Sequence, residues 1–105
     1  MGTFRQISVE DAKVMMDKGN VTIIDIRDSE SFEAAHIPRA VSISEKNVEE
    51  FIKTADKEKP LICYCYHGFS SQGAAGYFTQ HGFKEVLSIE GGFEKWRTLY
   101  SSIKA

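Results

Sequence analysis

The sequence predicts a small α/β domain in which a mainly parallel five-stranded sheet carries helices on both faces. Three observations lead there. Short runs that are apolar on both parities, residues 21–26 and 61–64, have the pattern of strands buried on both sides of a parallel sheet. Runs of this kind alternate along the chain with segments of helical spacing, and each crossover is long enough for a right-handed βαβ unit. The 105 residues leave room for one domain, spanning 1–105 with its core at about 4–100, and for no second one.

A weak strand is expected at residues 4–7. Ser8 then has the place of an N-cap whose oxygen accepts from the backbone N–H of Asp11, with Ile7 stapled against Ala12. Ala12, Met15 and Met16 recur at helical spacing and Gly19 offers a left-handed stop, so residues 9–18 form the first helix. Residues 21–26 make a central strand. Asp28 caps a brief helical turn through Glu30, Ser31, Phe32 and Glu33, which ends before Ile37 because Pro38 disfavours helical geometry in its predecessor. After a short strand at 41–43, Ser44 is expected to cap a helix with Val48, Phe51, Ile52 and Ala55 on one face, followed by a solvated turn at 56–59. Residues 61–64 form the second buried strand, and 65–70 carry no period. Gly73, Ala74, Ala75, Tyr77 and Phe78 predict a helix that stops at His81 and Gly82. The last strand is 86–89, the last helix runs from Phe93 to about Tyr100, and the polar tail 101–105 is expected to fray.

Composition excludes several functions. Fifteen acidic against thirteen basic residues leave a formal charge of -2, so there is no basic field for nucleic acid. No apolar run approaches the ~20 residues of a membrane span. Residues 1–10 lack a basic segment followed by an apolar stretch, which makes the cytoplasm the expected location. Cys63 and Cys65 are too close for an unstrained mutual disulfide and are expected to be free thiols. Without a heptad or an apolar surface stripe, a monomer is the expectation.

In an open parallel sheet, ligands lie beyond the carboxyl ends of the strands, where loops converge and helix N-termini point. One loop there carries a nucleophile. Cys65-Tyr66-His67-Gly68-Phe69-Ser70-Ser71 leads from a buried strand into a helix, so its N–H groups form an anion cradle above the sulfur. Such a cradle stabilises a thiolate, which makes Cys65 the candidate nucleophile. Gly68 allows the bend, and Ser70 and Ser71 are placed to cap the helix and turn hydroxyls inward. Tyr66, His67, Gly68, Phe69, Ser70 and Ser71 are therefore the candidate substrate-binding residues. Cys63, inside the strand, is read as a buried small hydrophobe. Cys63, Cys65 and His67 do not complete a tetrahedral metal site, and His36 and His81, in other loops, are read as structural. His67 either adds positive charge near the thiolate or faces solvent.

The cysteine loop resembles the active-site loop of the rhodanese sulfurtransferases. Asp25-Ile26-Arg27 resembles that family's Asp-x-Arg, the stretch from Phe32 to Ala40 resembles its first signature, and Gly91-Gly92-Phe93-Glu94-Lys95-Trp96 is similar to its second. The four motifs stand in the family order from about Val21 to Trp96, and the size matches its short single-domain thiosulfate sulfurtransferases. Ala35 and Arg39 depart from usual glycines, Phe69 is bulkier than many residues at its position, and Ser70 replaces a frequent cation, so the cradle relies more on backbone dipoles. Asp25 and Arg27 are read as an ion pair tying the strand end to neighbouring loops, and Phe93 and Trp96 as packing of the last helix.

The resemblance implies a single rhodanese-like domain with that family's fold. It also implies sulfane sulfur transfer from thiosulfate, or another persulfide donor, to cyanide or a thiol through a persulfide on Cys65. Such a reaction needs no metal or organic cofactor. A protein thiol is a further possible acceptor, and a sulfur relay or binding module is the alternative reading. A cysteine phosphatase or arsenate reductase ranks below both, because Cys65 is followed by five residues and then Ser71 instead of an arginine that would grip an oxyanion.

Overall fold

Strands apolar on both parities need a packed layer on each side, and the computed structural model, which describes residues 3–104, provides two. Five strands, β1 (Arg5–Ile7), β2 (Thr22–Asp25), β3 (Val41–Ser42), β4 (Leu61–Tyr64) and β5 (Val86–Ile89), form one sheet in the order β1-β5-β4-β2-β3. Every pairing is parallel. The helices are α1 (Val9–Lys18), α2 (Ser29–Ala34), α3 (Val48–Thr54), α4 (Ser70–Gln80) and α5 (Gly92–Leu99). Ile23, Ile62, Tyr64, Leu87 and Ile89 face Val9, Ala12 and Met16 of α1 and Phe93 and Trp96 of α5. Alternate residues Ile24, Leu61, Cys63 and Val86 face Ala75 and Phe78 of α4 together with Val48, Phe51 and Ile52 of α3. The two-residue period of each strand thus divides its side chains between two cores. A radius of gyration of 12.4 Å matches the ~13 Å of a single domain of this size.

Local chemistry sets most boundaries. Ser8 Oγ accepts from the Asp11 amide at 3.0 Å, Asp28 accepts from the Ser31 amide at 3.1 Å, and Gly19 closes α1 at φ +81°. Three regions differ from expectation. The cap of α3 is displaced: Asn47 Oδ1 accepts from the Ser44 amide at 2.7 Å while its Nδ2 donates to Ser42 O at 2.9 Å. That closed turn occupies residues 44–47, and the helix starts at Val48. α4 starts at Ser70, ahead of its apolar period. The tail, expected to fray from residue 101, is tied back: His36 and Ile103 exchange backbone hydrogen bonds of 2.8 and 2.9 Å, and Trp96 Nε1 donates to Ser101 O. Ala105 lies outside the described residues.

Arg39 takes a left-handed conformation, φ +73°, at a costly position for a residue with a Cβ. Its guanidinium donates to Met16 O at 2.7 Å, a second donor beside the Gly19 amide for that carbonyl at the C-terminal end of α1. None of the helices among the described residues is long and apolar enough to cross a membrane. Because all strands run the same way, residues 25–27, 64–65 and 89–92 meet at one edge of the sheet.

Candidate active site

Cys65 follows β4, which lies between β5 and β2 in the sheet. Its Sγ accepts from the amides of Gly68 and Ser71, each at 3.2 Å, and lies 3.4 Å from Ser71 Oγ. Phe69, at the N-cap of α4, makes no side-chain capping bond, and neither Ser70 nor Ser71 acts as the expected cap. The sulfur takes the place of a capping oxygen, so the first turn of the helix aims an orphan N–H at it. Burial would push the Cys65 thiol up. The Ser71 hydroxyl and the amides of Ser71, Gly68 and His67 outweigh burial and bring it below the ordinary thiol value.

The loop is held by α5. Phe93 N donates to Cys65 O at 2.8 Å and Glu94 N to Tyr66 O at 2.9 Å, so the orphan amides of that helix clamp the two carbonyls flanking the sulfur. Gly92, at φ +58°, has no room for a side chain, because a Cβ would lie 2.5 Å from both carbonyl oxygens. Gly68 is similarly constrained at φ +93°, where a Cβ would lie 2.9 Å from Gly91 N. The two glycine positions let the cysteine loop and the β5–α5 turn approach at backbone distance.

Asp25 and Arg27 form the expected ion pair. Arg27 Nη2 reaches Asp25 Oδ2 at 2.7 Å, Nε contacts both carboxylate oxygens, and Nη2 also donates to Ala35 O at 2.6 Å. Both side chains are almost fully buried, and the guanidinium lies 4.2 Å from the Phe93 ring centroid and 5.2 Å from that of Tyr66. The pair thereby supports the loop from below.

The remaining predicted site residues separate by exposure. Gly68 and Ser71 are buried against the sulfur, while Tyr66, His67, Phe69 and Ser70 are exposed around it. Phe69 is 78% exposed, an unusual position for so large an aromatic side chain. The His67 ring lies beside Tyr66, centroids 5.7 Å apart. Cys63 is fully buried, and burial, then the neighbouring Cys65 charge, pushes its thiol up to about 12. Its Sγ donates to Ser71 O and Leu87 O, both at 3.5 Å. His36 stacks on Phe32 at 3.8 Å with Nδ1 2.8 Å from Phe32 O, and His81 packs on Tyr77, so neither reaches the loop. A groove of about 600 Å³ between α1 and α5, with Met16, Arg39, Trp96 and Tyr100 in its walls, also excludes residues 65–71.

One residue at the site escapes the sequence reading. Ser88, on β5, is buried and places its Oγ 2.7 Å from Ser71 Oγ. Its only sequence signal is a hydroxyl inside the otherwise apolar run Val86-Leu87-Ser88-Ile89.

Comparison with known proteins supplies the family and the fold. A family model described as the rhodanese-like domain matches residues 8–99. The thiosulfate sulfurtransferase GlpE of Pseudomonas syringae pv. syringae (strain B728a) is 45% identical over 100 residues, covering 95% of this chain and 93% of the relative. The protein of the same name from Coxiella burnetii (strain RSA 331 / Henzerling II) is 45% identical over 94 residues, covering 90% and 88%. Among solved structures, a rhodanese-like domain from Anabaena sp. superposes with a TM-score of 0.85 at 20% identity, over 95% of this chain and 79% of the other. A rhodanese-related protein from Thermoplasma volcanium gives 0.83 at 22% identity, over 97% and 100%. At those identities the two superpositions speak for the fold.

Proposed function

The chain belongs to the rhodanese-like domain family and is a thiosulfate sulfurtransferase, and we propose that it works through a persulfide on Cys65. The Cys65 thiolate attacks the outer sulfur of thiosulfate and forms a new S–S bond. The donor's own S–S bond breaks, its electron pair leaves with sulfite, and the negative charge remains on the outer sulfur of the persulfide. Cyanide or a thiolate then attacks that outer sulfur, leaves as thiocyanate or a new persulfide, and returns Cys65 as thiolate. Atoms and electrons balance with no metal or organic cofactor.

The observation that carries this reading is the convergence of two amides and one hydroxyl on a single sulfur at the N-terminus of α4. The two amides are fixed donors and the Ser71 hydroxyl donates once the sulfur is ionised, so negative charge on Cys65 is stabilised before it attacks and again when it is released as thiolate. Tyr66, His67, Phe69 and Ser70 form the exposed rim through which donor and acceptor approach. With an uncharged Ser70 beside the loop, the hold on a thiosulfate dianion is modest, and another persulfide donor that reaches the rim also loads Cys65. A partner protein's thiol is an acceptor of suitable reach, because the half-exposed Tyr66 and the exposed Phe69 flank the sulfur. The chain acts as a monomer in the cytoplasm, where Cys65 and Cys63 remain free thiols.

Intact mass after incubation with thiosulfate tests the proposal. One added sulfur atom is expected on the native protein, none on Cys65→Ala, and cyanide should remove it. Sulfur retained by Cys65→Ala would overturn the assignment.

A further inference from the structure

We propose that Ser88 is a positioning residue for the nucleophile: its hydroxyl holds the hydrogen of Ser71 on the Cys65 sulfur. This rests on Cys65 being the group that reacts. Ser71 Oγ lies between two neighbours, Cys65 Sγ at 3.4 Å and Ser88 Oγ at 2.7 Å. Each hydroxyl has one hydrogen to place. Ser88 is 1% exposed, and among the described residues its Oγ has no hydrogen-bond partner other than Ser71.

Two directions are open to this chain of hydroxyls. If Ser71 donates to Ser88, the hydrogen of Ser88 is left without an acceptor, because Ser88 is buried, Ser71 Oγ is the one partner its hydroxyl has among the described residues, and its register partner across the strand pair is the buried Cys63. If Ser88 donates to Ser71, its hydrogen is satisfied, and the Ser71 hydrogen has only the sulfur left to point at. The second direction leaves nothing unpaired when the sulfur is ionised, and a hydroxyl that accepts one hydrogen bond is a stronger donor in the next. Ser88 therefore acts on the sulfur through Ser71 without touching it. The pair has no route to solvent through Ser88, so it polarises the site and does not shuttle protons.

The test is the pH dependence of carbamidomethylation at Cys65, followed by peptide mass on the full chain with its fold checked by circular dichroism. In Ser88→Ala the profile should move to higher pH, with alkylation at pH 7 slowed by roughly threefold, the scale of one neutral hydrogen bond. Ser71→Ala should slow it more, and Ser71→Ala/Ser88→Ala should match Ser71→Ala alone, because Ser88 has nothing left to act through. A Ser88→Ala profile superimposed on that of the native chain would overturn the proposal. So would a double variant in which the Ser88→Ala effect adds in full. If Ser88→Ala does not fold, Ser88→Cys, which keeps the shape with a weaker donor, carries the same comparison. Alkylation does not require sulfur transfer, so failure to form a persulfide would sink the function while leaving this comparison intact.

Discussion

Cys63 and Cys65 point to the same side of the sheet one strand repeat apart, yet their surroundings drive them in opposite directions. Burial in a dry layer, then the neighbouring Cys65 charge, favours the neutral Cys63 thiol, which lies against two carbonyl oxygens, and pushes it up to about 12. Cys65 lies one step further, where the strand has ended and backbone amides are unpaired, and its value falls below the ordinary thiol range. An acid lowered in this way is charged above its shifted value and neutral as pH falls through it. A raised acid remains neutral until its higher value is reached. Between the two values only Cys65 is a thiolate. Iodoacetamide at pH 8 on the folded protein should therefore label one thiol, at Cys65, and label both after unfolding in guanidinium chloride. Equal labelling of Cys63 in the folded state would contradict this account of the two environments.

At the level of elements, the N-terminus of α5 clamps the cysteine loop, and the glycines show where the clamp is tight. Gly92→Ala places a Cβ 2.5 Å from the carbonyl oxygens of Cys65 and Tyr66 and adds left-handed strain of about 1–3 kcal/mol. It should lower the urea midpoint and slow sulfur loading. Gly73, inside α4, is the contrasting site, because a Cβ there would meet nothing within 4 Å: Gly73→Ala should raise stability by about 0.5–1 kcal/mol. Wild-type stability and loading in Gly92→Ala would remove the clamp from the mechanism. The same elements show what a sequence discloses. Ser8 and Asp28 are readable as caps because cap, helix start and bonded amide all lie within four residues. The start of α3 is not, since Asn47 wins over Ser44 by using both ends of its amide, accepting from the Ser44 amide and donating to Ser42 O at the end of β3. The cysteine loop is legible from its residue types and its place after a buried strand, but the clamp from Phe93 and the hydroxyl of Ser88 reach Cys65 across gaps that no local pattern spans.

Across the whole molecule, the edge that carries the sulfur is assembled from three strand ends, and Arg27 joins them. From the end of β2 it binds Asp25, donates to Ala35 O after α2, and lies against Phe93 of α5 and Tyr66 of the loop. Its charge is buried, with the side chains of Arg27 and Asp25 3% and 0% exposed, so the pair costs desolvation to form and more to break. Arg27→Ala leaves the Asp25 carboxylate buried without its cation and should cost about 3–5 kcal/mol, a large share of the ~5–15 kcal/mol available to a domain. Arg27→Lys should recover little, because a point charge cannot span both carboxylate oxygens and the Ala35 carbonyl as the planar guanidinium does. Asp25→Leu/Arg27→Met removes both charges and should unfold at higher urea than Arg27→Ala. That ordering separates the cost of an abandoned charge from the value of the pair itself. If Arg27→Ala unfolds within about 1 kcal/mol of the native chain, well short of the cost of a stranded buried charge, the carboxylate has found water, and Arg27 cannot be the tie that holds the sulfur edge together.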